Sequence, residues 1–100
     1  NIKDMKTQFE IWLDGVNKEF EGKVYSWSPL VAKKGSKFMK IQNGSHVWGF
    51  VSMFDGEFQG IPIKKGDLMK PASWRAPAKH SRGNIFDGTA KYKWTGPEYL

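Results

Sequence analysis

The spacing of apolar residues changes once along this chain, and that change limits the possible folds more than any other feature. Over residues 4–21 large apolar side chains recur every three or four positions, which predicts one amphipathic helix with Asp4 as N-cap and Gly22 just past its end. After Gly22 the spacing becomes two, and turn residues recur about every eight to twelve positions, as in antiparallel sheets. We therefore predict an α+β fold in a single domain over residues 1–100. The predicted apolar stripe of the helix consists of Met5, Phe9, Trp12, Leu13, Val16 and Phe20.

Residues 23–70 are predicted to form antiparallel strands joined by tight turns. Asn43-Gly44 is the strongest hairpin signal in this part of the chain. Residues 71–88 lose the alternation and are predicted to form a structured basic loop, with one short helical turn at residues 78–82. A last strand is predicted at residues 89–95. The earlier strands are expected at residues 23–27, 37–42, 46–54, 57–63 and 68–70.

The predicted strand at residues 46–54 is apolar on both faces. Strict alternation would place Val47, Val51 and Met53 on one face and Trp48, Phe50 and Phe54 on the other. One helix covers only one face of the expected bent sheet of about five strands. Three solutions remain: the sheet curls into a partly closed barrel, the loop at residues 71–88 covers the second face, or a second copy covers it in a homodimer. Alternatively, Trp48 and Phe50 form an exposed platform on which bases stack.

Positive charge is concentrated in residues 64–94. This segment contains eight Lys and Arg residues and two Asp residues, a net charge of +6, which equals the net charge of the whole chain. It also contains four aromatic residues. Cations interleaved with aromatic rings suit a polyanion whose bases can stack, and single-stranded DNA or RNA fits better than duplex. The predicted nucleic-acid-binding residues are Lys64, Lys65, Lys70, Trp74, Arg75, Lys79, His80, Arg82, Lys91 and Lys93.

Two other interpretations explain the same segment. It could be a solvated basic loop whose charge is partly offset by the acidic helix, or it could bind an acidic protein partner. Trp74 separates these interpretations, because a Trp in a loop either folds back as an anchor or is used in binding.

Enzymatic and metal-dependent functions lack a signature in this sequence. There are no cysteines, which excludes disulfides and thiolate metal sites. His46 and His80 lie far apart, and neither has a His or acidic residue at metal-ligand spacing. No paired-carboxylate, phosphate-loop or dinucleotide motif is present. We therefore expect no catalytic residues, no metal, no cofactor and no enzymatic activity. No apolar run approaches the roughly 18 residues of a membrane span, so we expect a cytoplasmic protein without a membrane partner.

Several segments resemble known sequences. Residues 24–30 (VYSWSPL), residues 33–41, the terminal WTGPEYL and, above all, residues 66–88 (GDLMKPASWRAPAKHSRGNIFDG) are similar to small uncharacterised proteins encoded by tailed bacteriophages. The resemblance extends over residues 24–100. It implies a phage origin and expression in the cytoplasm of a bacterial host. It also keeps open a non-enzymatic role as a phage structural or host-interaction protein, and it supplies no catalytic or binding residues.

Overall fold

A computed structural model describes residues 2–25, 27–74 and 76–98, with the side chains of residues 2–7 and 79 outside this description. The fold is α+β, as predicted: one helix lies against a five-stranded antiparallel sheet. The strand order in this sheet is β1-β2-β3-β6-β7, and two small two-stranded ribbons, β4-β5 and β8-β9, accompany it. No described pairing joins β1 to β7, so the partly closed barrel is not confirmed. The elements are α1 Ile2–Glu21, β1 Leu30–Lys34, β2 Phe38–Asn43, β3 His46–Ser52, β4 Gly56–Phe58, β5 Ile61–Ile63, β6 Asp67–Pro71, β7 Pro77–Asn84, β8 Tyr92–Lys93 and β9 Gly96–Pro97.

The helix packs on the sheet through the predicted stripe. Phe9, Val16 and Phe20 are buried, and Trp12 and Leu13 are partly buried against the same cluster. The side chain of Met5 lies outside the described residues. Helix α1 ends before Gly22, as predicted, but it begins at Ile2, so Asp4 lies inside the helix and the predicted N-cap is wrong.

Asn17 fastens the helix to the first strand. Its Oδ1 accepts hydrogen bonds from the backbone N–H of Leu30 (2.7 Å) and from Trp27 Nε1 (3.2 Å). Its Nδ2 donates to the carbonyl oxygen of Leu30 at 3.2 Å. A strand was predicted at residues 23–27, but its described residues form turns and irregular backbone, and β1 begins only at Leu30. The Asn17 contacts hold the backbone of Leu30, the first residue of β1.

The Asn43-Gly44 hairpin is confirmed. Strands β2 and β3 pair Asn43 with His46, and Gly44 has a φ of 61°, a left-handed conformation that glycine adopts at little cost. The predicted strand at residues 57–63 is wrong, because β4 and β5 pair there as a second hairpin. Its turn contains Gln59 (φ 52°) and Gly60 (φ 80°). The strand expected at residues 68–70 is confirmed within β6.

Residues 71–88 are not the structured loop that we predicted. Strand β7 occupies Pro77–Asn84 and pairs with β6, so the predicted helical turn at residues 78–82 is also wrong. The register of this pair shifts twice, which removes regular alternation from the sequence. Gly83 has a φ of 98° and lies so close to the carbonyl of Thr89 that a Cβ would clash. The last predicted strand is shorter than expected, since only Tyr92–Lys93 pairs, with Gly96–Pro97.

Strand β3 is buried on both faces, and a β-bulge determines what each face contains. Opposite Ile41 and Gln42 lie Gly49 and Val47, so Trp48 is the extra residue. The bulge turns Trp48 towards the helix, where it joins the buried cluster of Phe9, Ile41 and Val51. On the second face Phe50, Ile63 and Met69 are buried, with Phe38, Val47, Phe54 and Phe58 packed around them. The assignment of Val47 and Trp48 to faces was therefore reversed.

The second face is covered by the chain itself. The β4-β5 ribbon brings Phe58 and Ile63 over it. On the opposite, helix-facing side, Gly49 pairs with Ile41 and lies against the β8-β9 ribbon, since a Cβ at this position would be 2.9 Å from Pro97 Cγ. A second copy is therefore not required to bury Phe50.

Candidate nucleic-acid interface

The predicted stacking platform does not exist in this structure. Trp48 is 2% exposed and Phe50 is 3% exposed. Trp48 also donates a hydrogen bond from Nε1 to the carbonyl oxygen of Trp94 at 3.1 Å. Both rings are core residues, because the helix covers one and the β4-β5 ribbon covers the other. Trp48 and Phe50 therefore do not form an exposed platform on which bases could stack.

Trp74 is exposed at the tip of the β6-β7 hairpin. Pro71 and Pro77 pair across the base of this hairpin, and the N–H groups of Ala72 and Ser73 both donate to the carbonyl oxygen of Ala76. The turn is thus held by its own backbone, and the Trp74 ring is not needed as an anchor. Trp74 is 51% exposed. The sequence left open whether the Trp74 ring folds back as an anchor or is available for binding, and in the structure it lies at the surface.

Two of the predicted cations hold the end of the chain instead of facing solvent. Lys70 Nζ donates to the carbonyl oxygen of Pro97 at 3.0 Å, and Arg82 Nε donates to that of Glu98 at 3.0 Å. A second Arg82 nitrogen, Nη1, donates to the carbonyl oxygen of His80. Partial burial lowers the pKa of the Arg82 guanidinium below its ordinary value. These hydrogen bonds connect Pro97 in β9 and the adjacent Glu98 to β6 and β7.

Acidic side chains lie near two further predicted cations. Lys93 Nζ is 3.8 Å from Glu98 Oε1, with both side chains substantially exposed. The side chain and backbone N–H of Thr89 hold the pKa of the Asp87 carboxyl below its ordinary value, and the charge of Lys64 is a smaller cause. Asp87 therefore stays ionised and offsets part of the charge of Lys64.

The other predicted residues are distributed over the surface. His80 and Lys91 are exposed, and Lys65 is partly buried. Arg75 and the side chain of Lys79 lie outside the described residues. None of the ten predicted residues is among the described lining residues of a groove on the second face of the sheet, but Trp74 contacts one of its lysines, Lys40.

This groove on the second face of the sheet is rich in lysine and has a volume of about 400 Å³. We call it the lysine groove. Four lysines and no acidic residue are among its described lining residues. The lining consists of Lys33, Lys34, Gly35, Ser36, Lys37, Phe38, Lys40, Phe50, Phe58, Ala76 and Pro77.

The register of the sheet brings these lysines together. Lys33 on β1 lies directly opposite Lys40 on β2, and Lys40 lies opposite Phe50 on β3. Side chains at paired positions share a face, so the two ammonium groups and the aromatic floor are neighbours. Lys34 and Lys37 flank the β1-β2 turn, which is closed by a hydrogen bond from Gly35 N–H to the carbonyl oxygen of Phe38 (3.0 Å).

Aromatic rings form the apolar part of the groove. The Phe38 ring is partly buried and lies 5.1 Å from the Phe58 ring centroid, 5.9 Å from that of Phe54 and 6.3 Å from that of Phe50, in edge-to-face arrangements. Such pairs fix ring orientation in addition to burying apolar area. The groove therefore combines an aromatic wall of packed rings with cationic side chains.

Lys40 joins the lysine groove to Trp74. Its Nζ lies 3.7 Å from the centroid of the Trp74 ring, a cation–π contact between residues from different hairpins. Ala76 and Pro77, from the same hairpin as Trp74, form one wall of the groove. Groove and ring are thus one continuous basic and aromatic surface.

The groove lysines are visible in the sequence only in a short window. Residues 33–40 contain four lysines and no acid, a denser cluster than residues 64–94. Summed over the first 63 residues, however, lysines and acids nearly balance, because the helix is acidic. Comparing whole segments therefore concealed this cluster, and a window of one hairpin would have found it.

The part of the chain that the structure describes contains no group of three or more His, Cys, Asp or Glu side chains that could hold a metal ion. Helix α1, the one helix described, lacks the length and apolar character that crossing a bilayer requires.

The fold defines a small α+β protein with an open antiparallel sheet and a basic groove. Residues 3–98 match the model of a family of unknown function, DUF7717, and the chain belongs to this family. No curated protein and no solved structure matched the chain.

Proposed function

We propose that the protein binds single-stranded nucleic acid and that Trp74 is a stacking residue in this interaction. The main support for this proposal is the position of the Trp74 ring, which is half exposed at a hairpin tip with the Lys40 ammonium 3.7 Å from its centroid. An exposed indole offers a stacking surface to an unpaired base, and the Lys40 ammonium over one face of the ring is close enough to contact a phosphate next to that base.

Charge supports a polyanionic ligand. The chain has a net charge of +6, and the lysine groove lies beside Trp74. Unpaired bases favour single strands over duplex, because stacking on Trp74 requires a base face that is not already stacked. Lys65, His80 and Lys91 extend the basic surface beyond the groove and remain part of the proposed interface, as do Arg75 and Lys79.

The proposal extends to biological setting. The resemblance of residues 66–88 to phage-encoded proteins supports a phage origin and action in the cytoplasm of the bacterial host. In this setting the protein acts as a non-enzymatic binding module, as a monomer or a homodimer. The alternative function is a phage structural or host-interaction protein, whose acidic protein partner would occupy the same basic surface. Sequencing the genes that flank the coding sequence tests the phage origin.

Titration of intrinsic Trp fluorescence with unlabelled single-stranded DNA and RNA tests the binding. The chain contains five Trp residues, and Trp74 and Trp94 are exposed. We expect quenching that saturates at low salt and is lost in Trp74→Phe. Absence of any change in fluorescence or in oligonucleotide anisotropy at low salt would favour the acidic protein partner.

Trp74→Ala and Trp94→Ala form a matched pair for the stacking role. Both rings are about half exposed, but Trp94 follows β8, whose Tyr92 packs on the helix side. Trp74→Ala should weaken single-strand binding by about 1–3 kcal/mol, the usual value of one stacked base, and leave the salt dependence unchanged since no charge is removed. Equal losses in the two variants would contradict a specific role of Trp74.

A further inference from the structure

We propose that the lysine groove is a nucleotide subsite that holds one unpaired nucleotide, with its base against Phe38 and Phe58 and its phosphates on the lysines. This inference rests on the proposed single-strand binding and names the part of the surface that does the recognition.

The charge of the groove calls for an anion. Lys33 and Lys40 are direct cross-strand partners, and like charges at such positions destabilise a sheet. Lys34 and Lys37 add two exposed ammonium groups at the adjacent turn. A phosphate would be attracted by this concentration of positive charge, and lysine binds phosphate well as a point charge. No acidic residue is among the described lining residues of the groove.

The aromatic wall selects among anions. Phe38 and Phe58 are partly buried, so their rings retain accessible surface, while Phe50 forms the buried floor. Inorganic phosphate and acidic side chains carry charge but no flat ring. A nucleotide carries both, and stacking of bases on aromatic side chains tolerates any base. The combination of rings and lysines therefore favours a nucleotide over an acidic peptide.

Size and continuity indicate one nucleotide of a longer strand. A volume of about 400 Å³ lies near the lower end of the roughly 300–1,000 Å³ range of small-molecule pockets. The groove opens beside Trp74 through Lys40, so a strand leaving it meets a second stacking residue. Two adjacent nucleotides would thus occupy the groove and the Trp74 ring in turn.

The test compares two double variants of equal charge. Lys34→Gln with Lys37→Gln removes two exposed groove lysines, while Lys18→Gln with Lys23→Gln removes two exposed lysines at the end of the helix. Affinity for a 5′-phosphorylated oligothymidylate is measured against salt. If both groove lysines contact phosphates, the slope of log K against log salt should become less steep by about 1.4 in the groove variant, since each phosphate contact contributes about 0.7 on single strands. The helix variant should retain the slope of the parent protein.

Amide chemical-shift mapping with 5′-phosphorylated dithymidine locates the ligand directly. We expect the largest shifts at residues 33–40, at Phe58 and at residues 73–77. Tripolyphosphate and polyglutamate serve as probes that have charge without a base. Binding of either as tightly as an oligothymidylate of equal charge would overturn the nucleotide assignment.

The outcomes separate the two proposals. Oligonucleotide binding by the parent protein with equal slopes in both double variants, or with shifts outside the groove, overturns the subsite and leaves single-strand binding intact. No binding of oligonucleotide or dithymidine by the parent protein overturns both. A change confined to the groove variant, with shifts at the groove, supports the subsite.

Discussion

Replacing Asn17 by Ala tests how the helix positions the strand that carries the groove lysines. Three hydrogen bonds join the Asn17 side chain to Leu30 and Trp27. Each is expected to contribute about 1 kcal/mol net, and the buried position of Leu30 limits access of water to its backbone groups after truncation. We therefore expect Asn17→Ala to lower the free energy of unfolding by about 2–3 kcal/mol. Asn17→Asp keeps the acceptor for two of the bonds and loses the donor, so its loss should be smaller.

Urea unfolding monitored by circular dichroism measures both losses. Gln8→Ala, at an exposed position of the same helix, is the control and should change stability by only a few tenths of a kcal/mol. An Asn17→Ala loss no larger than that of the control would refute the account of how β1 is anchored. Equal losses for Ala and Asp at Asn17 would show that the acceptor bonds contribute nothing.

Three further changes test the core and its pH dependence. Trp12→Ala should cost about 3 kcal/mol in urea unfolding, the low end for such truncations, because the ring is only partly buried. Gly49→Ala should lower the free energy of unfolding by about 1–3 kcal/mol in the same assay, because the added Cβ would lie 2.9 Å from Pro97 Cγ. Burial raises the pKa of Tyr92, with Glu19 a further cause. Because the folded state favours the protonated phenol, this stabilisation is complete below about pH 10 and is lost as pH rises through the folded pKa. Raising the pH above about 10 should therefore lower the free energy of unfolding more in the parent protein than in Tyr92→Phe. An equal decrease in the two proteins would contradict a raised pKa of Tyr92 in the folded state.

The elements that the sequence predicted well are those stabilised by local interactions. The helix follows from an apolar stripe that needs no knowledge of the rest of the chain. The β2-β3 hairpin follows from Gly44, whose positive φ fits a tight turn. The β4-β5 hairpin was missed because one of its two turn residues is Gln59, which also has a positive φ and which no turn preference indicates.

Elements that depend on distant partners could not be predicted in the same way. Strand β7 has no regular alternation, because its pairing with β6 shifts register at two points. In addition to this pairing, the Arg82 side chain in β7 donates a hydrogen bond to the backbone of Glu98, a contact that no local pattern predicts. The orientation of Trp48 depends on a bulge that forms only when β2 and β3 pair. A single extra residue reverses the faces of both Trp48 and Val47, and the alternation within β3 alone does not reveal it.

In the candidate site, too, some features follow from the local sequence and others depend on contacts between distant residues. The sequence singled out Trp74 but left open whether its ring folds back as an anchor or lies at the surface, and the structure places it at the surface. The groove beside it depends on the register that sets Lys33 opposite Lys40 and on the fold of another hairpin that brings Trp74 to Lys40. The net charge of a sequence segment does not contain this information. It sums charged residues that lie apart in the fold, and it leaves out residues from other segments that lie beside them. Arg82 and Lys70 contribute to the sequence count but hold backbone carbonyls, whereas the four groove lysines were hidden in a balanced segment beside an acidic helix. A basic surface on a folded sheet is therefore better predicted hairpin by hairpin, with cross-strand partners considered together.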